Sequence, residues 1–118
     1  MVEKAEWIWH DGRFVPWDEA KVHVLTHALH YGFSAFEGIR SYERADGKTA
    51  VFRLEEHLKR LYDSCKIIGL EVPVSFEVLK TIHFEILSKN GLTAAYIRPI
   101  VFLGYGAMGL YAMDNPVS

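Results

Sequence analysis

A single cysteine, Cys65, stands in a chain of 118 residues, so no internal disulfide can brace the fold and a reducing, cytoplasmic setting is expected. Neither sign of charge is in excess. The formal net charge of −2 gives no reason to expect a nucleic-acid partner, and no basic run suggests a membrane surface. Apolar stretches fall far short of the ~18 residues of a spanning helix, and no signal peptide is expected. Internal repeats and low-complexity tracts are missing. No Ser/His/Asp or Cys/His order sits at a nucleophile elbow. The run Gly104-Tyr105-Gly106-Ala107-Met108-Gly109 has neither the lysine nor the following helix of a phosphate loop.

Aromatic residues, in contrast, are abundant: three Trp, six Tyr and seven Phe in one small domain. With half the residues hydrophobic and 24% charged, the chain reads as one packed domain. The surplus at Trp7, Trp9, Tyr31, Phe36, Met108, Leu110 and Tyr111 suggests a face covered by a second domain or a partner.

Asp11-Gly12, between Trp7–His10 and Arg13–Pro16, predicts a hairpin with a type I′ turn. His23 to Tyr31 fits either a short helix or an irregular loop. Phe36 to Arg44 reads as a strand that turns through Ala45–Lys48 into Thr49–Arg53, a second hairpin. Alternation sets Phe36, Gly38, Arg40 and Tyr42 on one face and Glu37, Ile39, Ser41 and Glu43 on the other. Leu54, Leu58, Leu61, Tyr62, Cys65 and Ile68 form one apolar stripe of a helix over Leu54–Ile68, which Gly69 ends. A second helix, Ser75 to Lys89, has Ser75 as N-cap, Asn90-Gly91 as stop, and Leu79, Ile82 and Ile86 facing inward. Ala94 to Leu103 is the last strand. Pro99 within it donates no ladder hydrogen bond, which predicts a sheet edge or a bulge. The fold class is α+β: two β-hairpins and a further strand in an antiparallel or mixed sheet, with two packed helices.

Four features bear on chemistry. On a helix, His23, His27 and His30 would converge as metal ligands do, but no cysteine is near them, and a polar role in a packed turn competes. Cys65 lies on the buried stripe and reads as core. Gly38, between Phe36 and Arg40 on its strand face, leaves a hollow where a ligand or another backbone can approach, or marks a bulge. Arg60 projects away from the apolar stripe, and Arg98 shares a strand face with Tyr96, Ile100 and Phe102, where a cation calls for an anion. Two anion sites, a phenol and a hollow are the pattern of a pocket for a small carboxylate.

The runs HALHYGFSAFEGIR, VFRLEEHLKRLYDSCK and AAYIRPIVFLG resemble the small N-terminal domain of the branched-chain amino acid aminotransferases, pyridoxal-phosphate (PLP) enzymes of fold type IV. The resemblance covers nearly the whole chain, from IWHDGRFV to GAMGL. D-amino acid aminotransferases and aminodeoxychorismate lyases are nearby alternatives that lack the HALHYG…FEGIR run and do not usually carry the arginine of YIRP. The resemblance implies that Arg60 holds the cofactor phosphate, Tyr96 the substrate α-carboxylate, and Arg98 the distal carboxylate of glutamate or 2-oxoglutarate. It implies that Phe36 and Gly38 line the side-chain pocket, and that Tyr31 and Leu110 reach a neighbouring subunit's site in a homo-oligomer, at least a dimer. The substrates it implies are branched-chain amino acids and 2-oxo acids. The Schiff-base lysine of that chemistry belongs to a second, larger domain, and none of the seven lysines here matches it. Residues 1–118 are therefore expected to be one half of an enzyme, without its catalytic lysine and inactive alone. A stand-alone domain binding small carboxylates or another protein is the reading from a different class.

Overall fold

The computed structural model describes residues 3–110, 112 and 114–118. Strands β1 (Trp7–His10) and β2 (Arg13–Pro16) pair antiparallel around Asp11 and Gly12, both at positive φ (49° and 86°), as a type I′ turn requires. A single 3-10 turn, Trp17–Glu19, leads toward α1 (His27–Tyr31), which Gly32 ends in the left-handed conformation at φ 69°. Then follow β3 (Ser34–Phe36), β4 (Ile39–Glu43), β5 (Thr49–Val51), α2 (Leu54–Ile68), α3 (Phe76–Lys89), β6 (Ala95–Ile97) and β7 (Ile100–Phe102). The class is α+β, as expected, with every strand pair antiparallel.

Each of the two longest expected strands is broken in two, and at the same height. The stretch 36–44 divides into β3 and β4 across Glu37-Gly38, and 94–103 divides into β6 and β7 across Arg98-Pro99. Register does not slip: Phe36 faces Ile100 before the gap and Ile39 faces Ile97 after it. Pro99 explains the interruption. Without an N–H it cannot donate back to β3–β4, and only its carbonyl takes part, accepting from the Glu37 N–H at 3.1 Å. The expected edge is real, since β6 closes the three-stranded sheet β5-β4-β6; the disturbance is a gap rather than a bulge.

Helices α2 and α3 pack on each other and cover the sheets' inner faces. Leu58, Leu61 and Cys65 of α2 are fully buried with Ile39 of β4 at the centre of the core. Cys65 is thus a core residue, and burial pushes its thiol pKa up. Ser75 caps α3 by accepting from the Val78 N–H at 3.2 Å. At its far end Asn90 does more than stop the helix. Its side chain accepts from the N–H groups of Glu6 and Trp7 and donates to the carbonyls of Trp7 and Ile86, pinning β1 to α3. Trp7 lies half-buried beneath the Lys89 ammonium, 4.3 Å from the ring centre, and Trp9 packs on the core. These two tryptophans are therefore occupied within the domain. Tyr31, Phe36, Met108 and Leu110 remain exposed, and Tyr111 lies outside the described residues.

Candidate functional site

The strand gap gives Phe36-Glu37-Gly38 two working faces. Phe36, Gly38 and Arg40 point outward beside Tyr96 and Arg98, while Glu37 turns inward toward α2. On the outer face a Cβ at residue 38 would collide with the Tyr96 hydroxyl and approach the ring's Cζ to 3.2 Å. Gly38 is therefore a hollow filled by the tip of Tyr96, not a bulge. The Tyr96 hydroxyl accepts from Arg98 Nη2 at 2.6 Å and Nε at 3.2 Å. The Arg98 guanidinium lies 4.3 Å above the Phe36 ring, and the Arg40 guanidinium lies 5.6 Å from the centre of the Tyr96 ring. Four residues singled out separately in the sequence, Phe36, Gly38, Tyr96 and Arg98, thus form one cluster. Among the described residues no carboxylate lies within ion-pairing distance of Arg98, so its charge is met by a phenol and a π-face.

Arg60 does point outward, its side chain 68% exposed, but it is not a lone surface arginine. Its Nε donates to Glu37 Oε1 (3.1 Å) and Oε2 (2.9 Å), and its Nη2 donates to Oε1 at 2.7 Å. His57, one turn earlier on α2, adds Nδ1–H to Oε1 at 2.8 Å. Glu37 itself is only 6% exposed. Hydrogen bonding by Arg60, reinforced by His57, holds its carboxyl below the ordinary range against the opposing pull of burial. Sequence reasoning gave no role to Glu37 or His57. The signal was the alternation that put Glu37 on the inner face with Ile39 and Ser41, where a carboxylate requires a cation, and the i, i+3 spacing of His57 and Arg60 on one helix.

Tyr31 and Leu110 belong to a third group. His27 Nε2–H donates to the Gly109 carbonyl at 2.6 Å, and the His27 ring stacks on Tyr31 with centroids 4.5 Å apart. One buried histidine thereby joins the C-terminus of α1 to the loop carrying Leu110, which is 76% exposed. No hydrogen bond or ring contact among the described residues joins this pair to the Arg98 cluster. His23 precedes α1, so the three histidines do not share a helix face. His23 Nδ1 accepts from the Leu25 N–H and His30 Nε2 donates to the Val24 carbonyl. No metal-binding group of three occurs among the described residues. The loop at 104–109 is tied by Asn115, which accepts from the Ala107 N–H and donates to the carbonyls of Gly104 and Ala107.

An exposed arginine held by Glu37 along its Nε edge, and an arginine–tyrosine pair over a phenylalanine, are groups that can grip anions. The family model for amino-transferase class IV matches residues 34–118, and the chain belongs to that family. Within it, the chain is 49% identical over 108 residues to the branched-chain-amino-acid aminotransferase of Escherichia coli K12, covering 92% of this chain and 35% of that protein. The Pseudomonas aeruginosa PAO1 enzyme of the same name is 45% identical over 112 residues, 95% of this chain and 36% of its own length. Among solved structures, the T.th. branched-chain amino acid aminotransferase complexed with N-(5'-phosphopyridoxyl)-L-glutamate superposes with a TM-score of 0.92 at 48% identity. That match covers 97% of this chain and 38% of the other. The same T.th. enzyme has also been solved complexed with 4-methylvaleric acid. This chain spans little more than a third of the length of these relatives.

Proposed function

We propose that this chain is the N-terminal part of a PLP-dependent branched-chain aminotransferase. The observation that carries the reading is the Phe36–Gly38–Tyr96–Arg98 cluster, on a fold that matches enzymes of that name at nearly half identity. The parent exchanges amino groups between leucine, isoleucine or valine and 2-oxoglutarate. Residues 1–118 form its small domain, and the lysine-bearing domain lies outside them. When bound, PLP supplies the electron sink for moving the amino group. This chain contributes grip and orientation.

Arg60 fits a phosphate: Glu37 occupies its Nε side, and the end-on pair of Nη groups remains to receive an anion in fork geometry. Tyr96 takes the α-carboxylate of the substrate. Phe36 and the backbone at Gly38 line the side-chain space, and Arg98 takes the distal carboxylate of glutamate. One pocket then serves both an apolar side chain and a carboxylate. When leucine is bound, Arg98 keeps its phenol and π-face partners, so no bare buried charge results. The T.th. enzyme has been solved with a glutamate adduct and with 4-methylvaleric acid, a carboxylic acid with a branched apolar side chain, and such a pocket would accommodate both kinds of side chain. Tyr31 and Leu110, exposed and linked through His27, reach the site of a neighbouring subunit in a homo-oligomer. The single buried cysteine accords with a cytoplasmic protein.

The test uses a chimera in which this chain replaces the corresponding N-terminal part of the E. coli relative, with the two half-reactions measured separately. Arg98→Met removes a charge-assisted pair with the glutamate tail, so glutamate-side efficiency falls by about 30- to 1000-fold, or about 2–4 kcal/mol, while the leucine half-reaction changes little. Equal losses for leucine and glutamate would overturn this assignment of Arg98.

A further inference from the structure

We infer that Glu37 is the positioning residue for Arg60: it fixes which edge of the guanidinium is offered to a phosphate, and it ties that edge to the substrate pocket. The inference rests on the reading of Arg60 as the phosphate ligand.

An arginine on a helix surface has many rotamers, and a flexible cation loses conformational freedom on every anion it binds. Arg60 does not have that freedom. Both oxygens of a buried carboxylate are committed to it, three donor–acceptor distances fall between 2.7 and 3.1 Å, and the His57 imidazole closes the remaining approach to Oε1. Glu37 is itself fixed, since its N–H donates to the Pro99 carbonyl and its side chain is walled in at 6% exposure. The guanidinium still lies largely in solvent, and none of its hydrogen bonds to Glu37 uses Nη1. The pair is only half-buried, and an ion pair with one partner in solvent returns little net energy. The arrangement does suit preorganisation, where a ligand-gripping group is locked by a second group behind it. Glu37 also sits between Phe36 and Gly38 at the strand gap. The same tripeptide therefore sets the phosphate arginine on one face and the pocket wall on the other, at a separation fixed by the backbone.

Two measurements test this. On this chain, the Arg60 Nε–H resonance in a 15N-edited spectrum of arginine side chains is expected to be slow-exchanging and displaced. It should collapse toward the free-arginine position in Glu37→Gln. In the chimera with the E. coli large domain, Glu37→Gln is expected to weaken PLP retention by about 10- to 100-fold, the range typical when the partner behind a ligand-gripping group is lost. The KM for leucine at saturating PLP should stay within a few-fold. Arg60→Lys is the second variant, for the case in which Glu37→Gln does not fold. Lysine keeps the charge but cannot hold Glu37 with one edge and phosphate with another, so PLP retention should fall over the same range. A free Arg60 Nε–H in the unsubstituted chain would overturn the inference, as would unchanged PLP retention in Glu37→Gln when Arg60→Ala weakens it. If Arg60→Ala also leaves PLP retention unchanged, the phosphate reading of Arg60 fails along with the inference.

Discussion

Replacing Gly38 with alanine separates the stability of this fold from its binding chemistry. The new Cβ would overlap the Tyr96 hydroxyl and come within 3.2–3.3 Å of two ring carbons, so the tyrosine tip must swing out. Two hydrogen bonds from Arg98, at 2.6 and 3.2 Å, are then lost or stretched. These donors and the phenol are exposed and can turn to water, so the loss weighs on binding more than on folding, and Tyr96 leaves the place proposed for the α-carboxylate. The expected result in the chimera is a rise of about 10- to 100-fold in KM for leucine and glutamate alike, since both carry the α-carboxylate. Stability should change by less than about 1 kcal/mol, because the separated groups are exposed and can turn to water. Tyr96 is half-exposed and its displaced tip meets solvent, while Gly→Ala at a position with ordinary φ stabilises by about 0.4–1 kcal/mol through the unfolded chain. Urea unfolding of this chain and steady-state kinetics of the chimera give the two readouts. Unchanged KM values would refute the role given to the hollow, and a large loss of stability would show that Gly38 serves packing instead.

The chain of residues 1–118 alone should attach no PLP to any one lysine; stoichiometric trapping on a single lysine after borohydride reduction would contradict that. Its exposed Tyr31, Phe36, Met108 and Leu110 should drive concentration-dependent association in light scattering, and a strict monomer with no dye-accessible apolar surface would count against a covered face. Burial holds His83 below its ordinary pKa, so the folded state keeps it neutral while the unfolded chain protonates below about 6.5. Its stability contribution is therefore complete above that pH. It is lost as pH falls toward the folded-state pKa, at up to about 1.4 kcal/mol per pH unit. Urea titrations at pH 7 and pH 5 should show a smaller pH effect in His83→Gln, and an equal effect in both proteins would refute the assignment.

Much of this architecture was legible because local signals agreed with one another. Asp11-Gly12, the α2 stripe, Ser75 and Gly69 each act within a few residues, and each lies where its local chemistry demands. Alternation assigned the faces of the 36–43 stretch correctly, and so collected Phe36, Gly38 and Arg40 on the outside. Pairing between distant segments was harder to read. Pro99 signalled a disturbance, but only the register shows that it opens a gap opposite Glu37-Gly38, far earlier in the chain. The clamp on Arg60 was hidden for the same reason: helical geometry gave the direction of Arg60, while its partner comes from another element. Asn90 read as a stop signal, yet its anchoring of β1 depends on a hairpin at the opposite end of the sequence. The aromatic surplus was overcounted, because Trp7 and Trp9 find partners in α3 and the core.

Joining this chain to a lysine-bearing large domain tests the account most directly. In the chimera with the E. coli large domain, pre-steady-state absorbance of the bound cofactor on mixing with leucine should report amino transfer, and 2-oxoglutarate should return the cofactor to its starting form. Arg60→Ala should weaken PLP retention, and Arg98→Met should slow only the 2-oxoglutarate and glutamate side. A folded chimera that binds PLP yet reacts with neither leucine nor 2-oxoglutarate would contradict the claim that this chain is the gripping part of a branched-chain aminotransferase.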